Sequence, residues 1–205
     1  ALAEQSTLRE SLLKGITQSQ VSVFDVDGDG VNELIVGRTG YARALRVEAG
    51  ELEMVDQFNA RRGDDAVSAV VPIYADGQLA QLVFYVAATG EFQALERDRD
   101  GVFRYQSTAL VGTINLRHWQ PLAGRSGPQG HLFAGADRFW RLPTAAKGWN
   151  RVVLDRYETR LEAVHYSDLH CADFDGDGFS ELVALDGKRH LLELLAQGAG
   201  GWDSR

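Results

Sequence analysis

A single cysteine, Cys171, stands among the 205 residues, so no intrachain disulfide can form and the redox compartment is left open. It lies two residues before an acidic loop on an expected strand and reads as a core thiol. No apolar run approaches the roughly 20 residues of a membrane-spanning helix, which predicts no membrane insertion. Basic residues number 21 against 29 acidic ones. They form no cluster, which argues against a nucleic-acid partner. Catalytic constellations are also lacking. His118, His131 and His190 are scattered, and His165 and His170, five apart on an expected strand, would point to opposite faces. Ser126 and Ser180 have no nucleophile-elbow context. The chain opens at Ala1 without methionine or a signal peptide, and so reads as a processed product or a part of something larger. What is present suffices for a folded domain: 44% hydrophobic and 24% charged residues match a globular chain, and the length supports a core without staples.

Against this background two stretches stand out. Asp25-Val-Asp-Gly-Asp-Gly-Val-Asn-Glu33 and Asp173-Phe-Asp-Gly-Asp-Gly-Phe-Ser-Glu181 each crowd four acids into nine residues. Such crowding is unfavourable unless a cation sits among the carboxylates. Hard cations such as Ca²⁺ take six to eight oxygen ligands. Side chains at positions one, three, five and nine, with a backbone carbonyl at position seven, can supply them. The predicted ligands are Asp25, Asp27, Asp29, Val31 (carbonyl) and Glu33 in the first loop. In the second they are Asp173, Asp175, Asp177, Phe179 (carbonyl) and Glu181. Gly28, Gly30, Gly176 and Gly178 permit backbone conformations that side chains resist. An EF-hand would need glutamate at position twelve and flanking helices; Val36 and Ala184 stand there, each within an apolar, strand-like run. Zinc is disfavoured by an all-oxygen donor set, and magnesium prefers retained waters and stricter geometry. The acids read as metal ligands rather than as an acid–base pair.

The loops belong to a longer repeat. Short strands are expected at Ala42–Val47, Glu51–Phe58, Val67–Tyr74, Leu79–Val86, Phe92–Arg97 and Val102–Thr108. Further ones are expected at Ile114–Pro121, His131–Ala134, Phe139–Leu142, Trp149–Arg156 and Leu191–Leu195. The stretches 59–65 and 124–130 read as a solvated linker and a loop. Leu34, Leu82, Leu132 and Leu182 fall in register at intervals of 48, 50 and 50 residues. Four strands per period of about fifty is the mark of a β-propeller, whose blades bury their faces only by stacking. The expected fold is therefore all-β, with blades at about 16–65, 66–112, 113–163 and 164–205. Residues 1–15 would add a closing outer strand at Ser6–Leu13, or belong to a blade that precedes these. Two chains sharing one larger ring is a further possibility. The middle blades lack the ligands, Asp76-Gly77 being the only remnant in the second, so two cation sites are predicted rather than four.

The Asp-x-Asp-Gly-Asp-Gly-x-x-Glu-Leu loops resemble the FG-GAP/VCBS-type calcium-binding propeller repeats of integrin α heads and many secreted bacterial proteins. The Phe-Gly and Gly-Ala-Pro signatures of that repeat are absent. The resemblance implies calcium at the ligands named above, a location outside the cytosol (extracellular or periplasmic), and a non-catalytic scaffold for a protein or glycan partner. The alternative is a carbohydrate-binding or polysaccharide-lyase-associated propeller. For this Trp119 and Trp140 are the candidate stacking residues, since Trp149 and Trp202 recur at equivalent repeat positions and read as blade packing.

Overall fold

The computed structural model describes residues 14–75, 78–111, 119–124, 127–134, 138–143, 155–158, 162–198 and 201–204. The chain divides into two compact units, residues 1–113 and 114–205. Each is an all-β pair of four-stranded antiparallel sheets in simple up-and-down order, the blade architecture of the β-propeller class. In the first unit one sheet comprises β1 (Val21–Phe24), β2 (Glu33–Arg38), β3 (Tyr41–Glu48) and β4 (Glu51–Asn59). The other comprises β5 (Val67–Ala75), β6 (Gln78–Val86), β7 (Glu91–Arg97) and β8 (Phe103–Leu110). In the second unit the sheets are β9 (Trp119–Gly124), β10 (Gly127–Ala134), β11 (Arg138–Pro143) and β12 (Asp155–Glu158), then β13 (Tyr166–Ala172), β14 (Glu181–Asp186), β15 (Leu191–Gly198) and β16 (Gly201–Ser204). The only helical element among the described residues is a 3-10 turn at Gln18–Gln20, and none there is long and apolar enough to cross a membrane.

The apolar runs become strands buried on both faces, as a layer between two others requires. In β6, residues 81–86 are all buried. Outer strands reverse this, and β4 is exposed along most of its length. The sheets of the first unit share one core: Phe24, Ile35, Ala44 and Phe58 from one side meet Val70, Leu82, Phe84 and Phe103 from the other. Phe58 and Phe103 meet edge to face at 5.6 Å, an arrangement that aromatic quadrupoles favour. The inner strands are tied directly, the Ser22 hydroxyl of β1 donating to the Val70 carbonyl of β5 at 2.8 Å. In the second unit Leu132 and Phe139 pack with Tyr166, Leu169, Leu182 and Leu195.

The fifty-residue register holds at single-residue level. Leu34, Leu82 and Leu182 in the second strands pair with Leu45, Leu95 and Leu195 in the third, whereas Leu132 faces Arg141. The turn between those strands uses a positive φ at Gly40, Gly90 and His190. His190 is thus an L-residue doing a glycine's backbone task, which histidine tolerates better than most.

Several expectations need correction. The stretch 124–130, expected as a loop, is largely strand: β10 begins at Gly127 and absorbs the irregularity as a register shift between Pro128 and Gly130, with Gly130 at φ 132°. In the third sheet the first and fourth strands include Trp119–Gly124 and Asp155–Glu158; the remainder of the expected spans 114–121 and 149–156 lies outside the described residues. The outer place in the fourth sheet, assigned to residues 1–15, is held by β16, which pairs with β15 from Leu195 to Gly198. Residues 1–13, including the expected strand Ser6–Leu13, lie outside the described residues.

The linker 59–65 is not wholly solvated. Asp65 is buried, accepting from Arg62 Nε and Nη2 at 3.0 and 2.8 Å and from Gln93 Nε2 at 2.7 Å. Burial would raise its pKa, yet the Arg62 and Gln93 hydrogen bonds win and hold it below the ordinary 3.8. Its carbonyl also accepts from Gly40 N at 2.8 Å. Gly40 has φ 83°, and a Cβ there would lie 2.6 Å from the Gly63 carbonyl oxygen.

Gly40→Ala therefore combines a left-handed L-residue with a backbone clash, and should cost roughly 2–4 kcal/mol in denaturant unfolding. Asp65→Ala should cost about 1–3 kcal/mol at neutral pH, because it strands the buried Gln93 amide N–H. Since the folded pKa is depressed, that contribution is complete above 3.8 and is lost as pH falls through the folded value. The gap between the natural chain and Asp65→Ala should thus narrow in unfolding curves taken below about pH 4.

Candidate metal centre

Both acidic stretches connect the first and second strands of a sheet: residues 25–32 join β1 to β2, and 173–180 join β13 to β14. The first carboxylate of each folds the loop around itself. Asp25 accepts from Gly28 N at 2.7 Å and Gly30 N at 2.8 Å; Asp173 accepts from Gly176 N at 2.7 Å and Gly178 N at 3.0 Å. Those four glycines have φ between 78° and 89°, which is why glycine recurs there. Position three accepts from the N–H of position five, Asp27 from Asp29 at 3.1 Å and Asp175 from Asp177 at 3.2 Å. Position five accepts from position seven, Asp29 from Val31 and Asp177 from Phe179, both at 2.8 Å. The closing glutamate, buried in both copies, reaches back to position two. Glu33 accepts from Val26 N at 3.0 Å and Glu181 from Phe174 N at 2.7 Å.

Three predicted ligand side chains converge in a small acidic nest in each turn, and Glu33 and Asp177 stand outside these two groups. Each carboxylate oxygen has more than one lone pair, so an accepted N–H does not prevent ligation. Oxygens of Asp25, Asp27 and Asp29 lie within 4.8 Å of one another, as do those of Asp173, Asp175 and Glu181. The donor set is all oxygen, which suits a hard cation. Val31 and Phe179 occupy position seven and donate their N–H groups to the position-five carboxylates.

The loops differ in their surroundings. Arg46, on β3, enters the first: its Nη2 lies 3.1 Å from Asp27 and 2.9 Å from Asp29 and is bonded to Glu33 Oε1, with Nε 3.0 Å from that same oxygen. The Glu33 hydrogen bond raises the guanidinium pKa against the effect of burial, with the charges of Asp29, Glu33 and Asp27 adding to it. Asp25 is held below the usual carboxylate value, first by the Gly30 N–H, against burial, with Gly28 adding to it. From β7, Arg97 Nη2 donates to the Val26 carbonyl at 2.6 Å. Sequence reasoning missed both arginines. The available signal for Arg46 was its place opposite Glu33 across the β2–β3 hairpin, visible only once the strand register is known.

The remaining candidates fall outside these nests. His165 and His170 are both exposed; the register shift between Tyr166 and Asp168 interrupts the alternation that would have set them on opposite faces. His131 is buried in β10 and desolvation pushes its pKa down to about 4. His118 and Ser126 lie outside the described residues, and Ser180 is buried. Trp119 and Trp140 are both register partners of Phe133. Trp202 packs against the core of the second unit, and Trp149 lies outside the described residues. Cys171 packs against the same core, where burial pushes its thiol up to about 12. In native protein at pH 8 alkylation of Cys171 should run roughly a thousand-fold slower than for a free thiol, since only thiolate reacts. Timed iodoacetamide labelling read by mass spectrometry, with and without denaturant, checks this.

No family model matches the chain, and no curated protein matches it. Among solved structures, a crystal structure of a protein from Lactobacillus plantarum is similar over 93% of this chain and 68% of its own, with 14% identity and a TM-score of 0.48.

Proposed function

We propose that this protein is a non-catalytic, calcium-binding β-propeller module of the FG-GAP/VCBS type that serves as a rigid interaction scaffold. The observation that carries this reading is the repetition, 148 residues apart, of the same five carboxylate-to-backbone hydrogen bonds in two four-acid turns. Shared local sequence by itself favours such Asx-type bonds, but it does not require three carboxylates in each turn to bring oxygens within 4.8 Å of one another. A turn organised around a cation does require it, because the ion fixes where the oxygens converge. In this reading calcium carries no chemistry. It neutralises the nest and fixes the connection between an inner strand and its neighbour, so that the sheet presents a constant surface to a protein or glycan partner, to a second copy or to further blades. Sites of this kind in extracellular modules bind at roughly 10⁻⁴–10⁻³ M, which suits a location outside the cytosol, extracellular or periplasmic.

Thermal and denaturant unfolding with calcium and with EDTA tests the reading. At calcium a hundred times its Kd, one site binding only the folded chain should add about 2.7 kcal/mol, with a smaller effect from equimolar magnesium. Unfolding curves that superimpose in calcium and EDTA would sink it.

A further inference from the structure

The two loops agree in their internal bonds and disagree in one residue of the neighbouring strand. In the first sheet Leu34 pairs with Leu45, so the next positions along the hairpin set Glu33 beside Arg46. In the fourth sheet Leu182 pairs with Leu195, which sets Glu181 beside Ala196. The guanidinium therefore stands where the other copy has a methyl group. It touches three of the four carboxylates in its loop, Asp27, Asp29 and Glu33, the last of which has a fully buried side chain. A cation already sits among these acids, and it is part of the chain.

We propose that Arg46 is a tethered cation that takes the metal's place in the first loop, so that calcium does not occupy that loop while the arginine is present. The inference rests on the calcium reading and sharpens it. A guanidinium presents its donors in a rigid planar fork matched to carboxylates. Being covalently attached, it does not depend on the calcium concentration of the medium. Calcium entering the first loop would have to break the Arg46–Glu33 pair and leave the displaced guanidinium a few ångströms from a dication. The incoming ion would replace rather than add to the charge compensation of the fully buried Glu33 carboxylate, so its net gain there is small against the modest affinity of such loops. β15 imposes no such competition at the equivalent place, since alanine carries no charge.

Calorimetric titration of the full chain with calcium chloride, after EDTA treatment and dialysis, tests this. The expected result is one more bound ion per chain in Arg46→Ala than in the natural protein, the added site being at least tenfold weaker or unmeasurable while the arginine is present. If Arg46→Ala does not fold, as judged by circular dichroism, Arg46→Gln serves instead: it keeps chain length and hydrogen bonding without the charge. Equal numbers of ions bound with equal affinities in the natural protein and in a neutral variant at position 46 that folds would overturn the inference and leave the calcium reading standing. Absence of binding in both the natural chain and the neutral variant would remove the calcium reading, and this inference with it.

Discussion

No sheet in this protein can bury both of its faces by itself. Four short strands cover too little apolar surface to offset the entropy of ordering them, so each sheet depends on a neighbour laid against it. In the first unit this dependence is met by side chains of Ile35, Phe58, Leu82 and Phe84. Direct hydrogen bonds supplement them, from Ser22 of β1 to Val70 of β5 and from Gln20, in the 3-10 turn before β1, to the carbonyls of Gly37 and Val67. The gradient from mostly buried β2 to exposed β4 is the same constraint seen along one sheet. Whatever holds the inner strands and their first turns in place therefore supports everything packed upon them.

The acidic turns occupy that position. Each follows directly from an inner strand and directs the chain into the second, and each concentrates four negative charges while doing so. Backbone N–H groups orient those charges but cannot neutralise them. The first turn recruits guanidinium groups from two different strands, Arg46 from its own sheet and Arg97 from the next. The turn is thereby tied to the interface between the sheets. Tyr74, on β5, has a raised pKa owing first to burial and then to the charge of Asp25, so the neighbouring sheet senses the turn as well.

Much of this was legible in the sequence because it is local or periodic. Apolar runs marked the inner strands, glycines marked positive-φ turns, and the spacing of Leu34, Leu82 and Leu182 marked the register in which the sheets repeat. The acids of both turns declared themselves by type and spacing. What escaped were features set by distant partners. Asp65 sits in a polar stretch and reads as solvated until Gln93, 28 residues on, is brought against it. Arg46 is one of several arginines until the hairpin places it beside Glu33. The short β16 carries little pattern in four residues, and the bulge in β10 lets a glycine- and proline-bearing stretch pair as strand where composition suggested a loop.

One irregularity recurs in both sheets of the first unit. The ladder between third and fourth strands skips a residue opposite Ala44–Leu45, leaving Val55 unmatched, and again opposite Ala94–Leu95, leaving Gln106 unmatched. Such an extra residue bends a strand and increases its twist. On β4, which exposes Met54 and Val55 to solvent and carries Glu51, Glu53 and Asp56, a flat edge would be a template for a foreign strand. The bulge and the charges spoil that template. The same residue that interrupts the regularity of the blade thus guards the protein against self-association into extended sheets.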